Sequence, residues 1–342
     1  MGTRFLELLL RVSEKAANIA RVIRQDEHLF KLLVQEKKGT EKNPRFVQDF
    51  KTLADVLIQE TVKHDVGNQF PDLADHILGE ESNSFSNILG DTITVEVQED
   101  ESATAALLSR VLGGDTQAAE VLAAEVHRDL SSRELDLGSD VPQFSLPLKQ
   151  CGMWIDPIDS TAEYISGEEV MSVGNICQSG LRCVTVLIGV WQGMCHWGIK
   201  FGDLLHSSPS LPKSIDHSAK VIVLSSSESS NLKQRLTSAG YTVAEAAGAG
   251  YKQLCVACGD ADAYVLSKGS TFRWDTCGPH AILRSLGGGI IAYKKVVQGL
   301  DSLEGYEISY EAVDDTYCNS DGLIAFRDKR IAEELVQILR QI

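Results

Sequence analysis

What this chain lacks narrows its chemistry before any motif is read. No run is long and apolar enough to span a bilayer, so a helical membrane protein is excluded. Glu7, Arg11 and Glu14 interrupt the N-terminal apolar stretch, and no secretory leader is read there. Basic residues are scarce: 32 Lys and Arg face 48 Asp and Glu, a formal net charge of −16 over 342 residues. Without a basic stripe the chain cannot displace counterions from a nucleic-acid backbone, which removes nucleic acid as a partner. An anionic small molecule is still compatible, provided metal ions stand between it and the carboxylates. Disulfide-like spacing is absent from the eight cysteines, as expected in a reducing compartment such as the cytoplasm. Cys255 and Cys258 form one C-x-x-C, but with a helical context and no matching second pair they read as buried thiols.

With 43% hydrophobic and 23% charged residues, what remains is a globular chain able to bury a sizeable core. Helical periodicity runs over residues 5–33 and again over 47–63, where Phe50, Leu53, Ala54, Leu57 and Ile58 form the buried stripe; 35–43 reads as a solvent loop. Strand patterns occupy 76–78, 92–97, 184–190 and 195–199, and helices are expected near 104–112 and 118–127. A Ser- and Pro-rich stretch at 204–218 suggests a boundary, dividing the chain into parts 1–210 and 211–342. Beyond it strand and helix alternate: strands at 221–224, 241–243, 263–266, 290–293 and 323–326, helices at 229–239, 252–258, 279–286 and 329–340. Such alternation argues for an α/β layer.

The stretch 152–161, Gly-Met-Trp-Ile-Asp-Pro-Ile-Asp-Ser-Thr, concentrates the chemistry. Pro157 removes a backbone donor and is expected to end the preceding strand, so the chain turns at Asp156 and Asp159. Across that turn the two carboxylates and the Ile158 carbonyl present hard oxygens of the kind Mg²⁺ prefers. Ser160 and Thr161 open the next helix, whose free N–H groups favour a phosphate. The plain alternative is that these are ordinary turn and cap residues. Further acids lie elsewhere. Asp55 sits just off a helical stripe, either on a solvated face or pointing into a site. Glu80 and Glu81 end a short apolar run; in a strand they would point to opposite faces, with Glu80 turned to the site and Glu81 outward. Asp275, before a helix expected to begin near residue 276, either caps that helix, the plainer reading, or ligates a second metal while the helix start faces a bound anion.

Taken in order, Asp55, Glu80-Glu81, Asp156-Pro-Ile-Asp159-Ser-Thr161 and Trp274-Asp275 resemble the lithium-sensitive, Mg²⁺-dependent phosphatases, the group of inositol monophosphatase, bisphosphate nucleotidase and fructose bisphosphatase. Phe50 to Asp55, Gly79 to Ser82, Ala246 to Lys252, and His280 to Gly289 support the likeness, which covers most of the chain. The resemblance implies a layered αβαβα sandwich and hydrolysis of the 1-phosphate of inositol 1,4-bisphosphate and inositol 1,3,4-trisphosphate, inhibited by Li⁺. It assigns one Mg²⁺ to Glu80, Asp156 and the Ile158 carbonyl, and a second to Asp156, Asp159 and Asp275. A weaker third position falls to Asp55 and Glu81. Thr161 with Glu80 orients the attacking water, and Asp159, Ser160 and Thr161 meet the phosphate or the inositol. Gly248, Ala249 and Lys252, and by loose alignment Ser227, resemble the loops that contact the ring and a distant phosphate; a solvated helix lysine is the other reading of Lys252. A monomer is implied. Compared with that pattern the chain is short around 191–194, 203–217 and 305–320. The alternatives are a 3′(2′),5′-bisphosphate nucleotidase and a non-catalytic inositol-phosphate-binding regulator.

Overall fold

The N-terminal helix α1, Gly2–Gln25, forms because Phe5, Leu8, Leu9, Val12, Ala16, Ile19 and Ile23 recur at helical spacing, and all of them are buried. A computed structural model describes residues 2–25, 30, 33–37, 39, 49–87, 89–129, 147–191, 199–201, 204–206, 220–299, 303, 305–310 and 317–340. Most of the expected strand at 195–199 and of the boundary stretch at 204–218 lies outside them. Within the described residues no helix is long and apolar enough to cross a membrane. The chain divides into two compact units, Met1–Ala162 and Glu163–Ile342, a division N-terminal to the expected break at 210.

In the first unit, β1 (Val34–Glu36) pairs antiparallel with β2 (Phe50–Thr52), which runs directly into α2 (Leu53–Gln69). Two expectations change here. Residues 35 and 36, expected in a solvent loop, belong to strand β1, and the helix expected from residue 47 begins at Leu53, because Thr52 is extended and caps it. Helix α2 packs on α1, buries Leu53, Leu57, Ile58, Val62 and Val66, and carries the site. Each such side chain contributes about 1.5–3 kcal/mol on leaving water. The short strand β3 (Ile77–Gly79) lies parallel to β6 (Gly152–Asp159), with Gly79 opposite Ile155. Between them come the hairpin β4 (Ser84–Ser86) and β5 (Thr92–Thr94), then helices α3 (Glu101–Val111) and α4 (Thr116–His127). Regular pairing in β5 stops at Thr94, short of the expected strand to 97. Thr161–Ser166 forms α5.

The second unit opens with β7 (Val170–Met171), β8 (Cys177–Ser179) and β9 (Thr185–Trp191), followed by the short antiparallel pair β10 (Ile199–Phe201) and β11 (Leu204–His206). Then come β12 (Val221–Leu224), α6 (Ser230–Ser238), β13 (Thr242–Glu245), α7 (Ala249–Cys258), β14 (Ala263–Leu266), α8 (Arg273–Ser285), β15 (Gly289–Ile291), α9 (Tyr293–Val297), β16 (Leu323–Phe326) and α10 (Lys329–Leu339). The sheet order is β13-β12-β14-β16-β15; β12 is parallel to both neighbours, and β16 is antiparallel to both of its own. Alternation sorts its residues between two cores. Val221, Val223, Tyr264 and Ala325 pack with α7 and α8, while Ile222, Leu224, Val265 and Ile324 pack with α6 and α10. Helices cover both faces, as the alternation of strand and helix requires. Cys255 and Cys258 sit on α7 as free thiols.

Candidate metal centre and substrate loops

Local chain chemistry fixes Asp55. It is the third residue of α2, and one of its oxygens accepts from the Thr52 N–H at 2.7 Å and from the Thr52 hydroxyl at 2.6 Å, a capping box that places the carboxylate at the helix start. The residue is 1% exposed, so the solvated-face reading is excluded. Burial pushes its pKa up to about 6, against the hydrogen bonds from Thr52 and the charge of Lys37.

Strand β6 does not stop at Pro157, contrary to expectation, and runs on to Asp159. Its ladder with β3 ends at Ile155, so a residue without an N–H costs that ladder nothing. The turn comes one residue later, at Ser160, whose φ of 74° lies in the left-handed region that a non-glycine residue seldom adopts. A strict pleat would send Asp156 and Asp159 to opposite faces. At this strand end a carboxylate oxygen of each nevertheless lies within 4.8 Å of the other. Both residues are buried, as is Ile158. After the Ser160 turn the Thr161 hydroxyl stands 3.2 Å from the Ile158 carbonyl and 3.5 Å from the second Asp55 oxygen.

Glu81 does not face outward as a strand would have it: both Glu80 and Glu81 turn onto Lys37, the Glu81 side chain 3% exposed and that of Glu80 31%. The Lys37 ammonium pairs with Glu81, with Glu80 at 3.0 Å and with Asp49 at 3.9 Å. Burial works against the charge on this lysine, but the three carboxylates raise its pKa overall. Glu81 is raised to about 8, first by burial and then by Glu80, with Lys37 opposing. Among the described ion pairs here, the Lys37 ammonium is outnumbered by the carboxylates of Asp49, Glu80 and Glu81. The donors gathered in this unit are carboxylates and a backbone carbonyl, all hard oxygens, and they carry surplus negative charge. That chemistry fits Mg²⁺ and does not suit a thiophilic metal.

The second unit builds its acid the same way. Asp275 accepts from the Phe272 N–H at 2.5 Å and is the third residue of α8, which begins at Arg273. It is therefore not the N-cap of a helix starting near 276. Neutral amides hold this helix start. Gln253 Nε2 donates to the Asp275 carbonyl at 2.9 Å, and the Asn319 amide reaches the Phe272 carbonyl at 2.8 Å and the hydroxyls of Thr271 and Thr276 at 3.2 Å. Lys252 is 4% exposed, which excludes the solvated-lysine reading. Its ammonium donates to the carbonyls of Ala246 at 3.1 Å and Gly248 at 2.6 Å and so shapes the turn into α7, where Gly248 has φ 72° and Ala249 follows. Ser227 is exposed after β12, its hydroxyl 3.1 Å from that of Ser225.

Sequence reasoning missed Lys37, Gln59, Gln253 and Asn319. Lys37 follows the short run Leu33-Val34-Gln35-Glu36, too brief and too close to charged residues for its strand period to stand out from a solvent loop. Nothing in the local sequence marks the three amides, because the partners that matter here, at Glu81, Asp275 and residues 271–276, lie 22 or more positions away in the chain.

A family model described as the inositol monophosphatase family matches residues 6–342. The inositol polyphosphate 1-phosphatase of Mus musculus is 42% identical, covering 100% of this chain and 98% of that protein. The Homo sapiens protein of the same name is 39% identical, over 98% and 97%. Among solved structures, the extragenic suppressor protein suhB from Bartonella henselae shares the fold at a TM-score of 0.53, with 14% identity, covering 99% of each chain. A motif set spread from Asp55 to Asp275, a layered α+β fold and a match along nearly the whole sequence agree: the chain belongs to the inositol monophosphatase family.

Proposed function

We propose that this chain is a phosphomonoesterase that removes the 1-phosphate of inositol 1,4-bisphosphate and inositol 1,3,4-trisphosphate, uses Mg²⁺ and is inhibited by Li⁺. The substrate class is supported by the near-full-length relatives named inositol polyphosphate 1-phosphatase. The reaction rests on one local observation, the Thr161 hydroxyl standing between the Asp55 carboxylate and the Ile158 carbonyl, beside an oxygen-only donor set.

In this reading Glu80, Asp156 and the Ile158 carbonyl hold one Mg²⁺. Asp156, Asp159 and Asp275 hold another, and Asp55 with Glu81 offers a weaker third position. When bound, Mg²⁺ supplies Lewis acidity, polarising the phosphate and acidifying water. The protein's own groups do the rest. By donating to Asp55, the Thr161 hydroxyl keeps its oxygen lone pairs available to accept from a water molecule, and the half-exposed Glu80 carboxylate accepts that water's other proton. Water oxygen bonds to phosphorus, the bond from phosphorus to the inositol oxygen breaks, and that oxygen takes up a proton. Asp159, Ser160 and Thr161 contact the phosphate or the ring. Gly248, Ala249, Lys252 and Ser227 contact the ring and the retained phosphate, with Lys252 shaping its loop through the carbonyls it binds. The proposal describes a monomer acting in cytoplasmic inositol phosphate signalling.

The test is phosphate release from both inositol substrates and from adenosine 3′,5′-bisphosphate, with Mg²⁺, with a chelator and with Li⁺. Turnover of the inositol phosphates alone, lost with chelator and reduced by Li⁺, is expected. Equal or faster turnover of the nucleotide would identify a bisphosphate nucleotidase. Tight inositol-phosphate binding without turnover would identify a regulator.

A further inference from the structure

Gln59 takes no part in the reaction as proposed, yet it is wholly buried and lies one helical turn after Asp55, on the same face of α2. Its carboxamide donates from Nε2 to the Glu81 carbonyl at 2.5 Å and accepts at Oε1 from the Glu81 N–H at 3.0 Å. Both hydrogen-bonding groups of one residue are thus read by one side chain. The residue whose backbone is gripped is a proposed metal ligand, and its neighbour Glu80 is another. Gly79 is what makes room: a Cβ there would lie 1.9 Å from Gln59 Oε1 and 2.4 Å from its Cδ. The glycine of Gly79-Glu80-Glu81 and the glutamine of Asp55-x-x-x-Gln59 are two halves of one clasp.

We infer that Gln59 is a positioning residue, setting how far the Glu80-Glu81 turn stands from Asp55 and thereby how tightly the first unit holds a divalent cation. Only a carboxamide of this length matches a peptide N–H and C=O at once. Glutamate lacks the donor, leucine lacks both groups, and asparagine is one methylene short. Any of these would leave a buried backbone group of Glu81 without its partner and let the turn drift. The inference rests on the proposed Mg²⁺-dependent function.

The test measures Mg²⁺ alone, titrated into metal-free protein by calorimetry, for wild type, Gln59→Glu, Gln59→Leu and Gly79→Ala. Val62→Ala, a core truncation on the same helix, serves as the stability control. Each variant at the clasp should weaken Mg²⁺ binding about tenfold or more, the effect typical of losing a group that orients a ligand. The Mg²⁺ concentration for half-maximal turnover should rise in parallel, saturating Mg²⁺ should restore most of kcat, and KM for the inositol phosphate should stay within about twofold. Gln59→Leu and Gly79→Ala should be strongly non-additive, since each breaks the same contact. Val62→Ala should lower the melting temperature and leave the Mg²⁺ titration unchanged. A wild-type chain that takes up no Mg²⁺ would sink the function and this inference together. Wild-type binding matched by all three clasp variants, or a shift equal to that of Val62→Ala, would sink the inference alone.

Discussion

Asp55 and Asp275 occupy the same local position in the two units, third in a helix, accepting the N–H of the residue that caps it. Their described surroundings differ. In the unit of Asp55 they include Glu80, Glu81 and the Lys37 ammonium. At the Asp275 helix start they include the amides of Gln253 and Asn319 and the Tyr317 carbonyl. A capping box can therefore present a carboxylate at a helix start in two kinds of local frame, one among further acids and an ammonium of the same unit, the other braced by amide side chains of its own unit.

The sharpest challenge to this contrast is a pair of isosteric changes. Asp55→Asn and Asp275→Asn should each lower turnover by about a thousandfold, because each removes a charge the proposed reaction uses. Neither should cost stability, because asparagine can still accept from the capping N–H. Asp55→Asn should in addition stabilise the metal-free protein by about 1–3 kcal/mol at pH 7.5, because it removes a buried charge whose raised pKa marks it as unfavourable. Chemical denaturation with and without Mg²⁺ checks this, and an Asp55→Asn protein no more stable than wild type would remove the account of the first unit as a charged nest of acids.

A smaller effect should come from Thr161, which touches the nest without adding charge. Thr161→Ala should cost about a hundredfold in kcat, and Thr161→Ser, which keeps the hydroxyl, should recover most of it. A wild-type rate in Thr161→Ala would remove the hydroxyl from the proposed reaction.

The smallest effect concerns stability and lies in the second unit, away from Asp275. His280 on α8 is fully buried, 3.1 Å from the Tyr310 hydroxyl and 3.3 Å from Glu307, and burial lowers its pKa although Glu307 opposes the shift. The unfolded chain then takes up this proton more readily than the folded one. Its contribution is intact above the ordinary histidine range and is lost as pH falls below about 6.5, against the gain on acidification from the raised Asp55 and Glu81 carboxyls. The difference in denaturant midpoint between wild type and His280→Gln should therefore shift against wild type as pH falls from 8 to 5.5. A difference that does not change with pH would remove His280 from the pH dependence.

The sequence made much of this legible, and where it failed the failures share a cause. Periodicity located α1, α3, α4 and α10, because each helix buries one face and repeats that fact along the chain, and the central strands of the second unit stand out as short apolar runs because they are buried on both faces. It misplaced the start of α2 by reading Phe50 as helical, since a three-residue strand is too short to show its period. Pro157 has no N–H to offer a neighbouring strand and so looks like a stop, yet β6 runs through it to Asp159; on the β3 side the pairing has already ended at Ile155. Glu81 was turned outward by a rule for strands, when the chain had already left the strand at Gly79.

Residue type and order along the chain were enough to specify the chemistry on offer: acids at Asp55, Glu80-Glu81, Asp156, Asp159 and Asp275, a hydroxyl at Thr161, and no basic surface for nucleic acid. Those are local properties, carried by side chains and by caps and turns a few residues long. Folding alone settled which acid is buried, that Lys37 stands among three of them, and that Gln59 grips the Glu81 backbone across a gap left by Gly79. Burial, charge balance and close approach are sums over neighbours remote in the chain, and no window of sequence contains them.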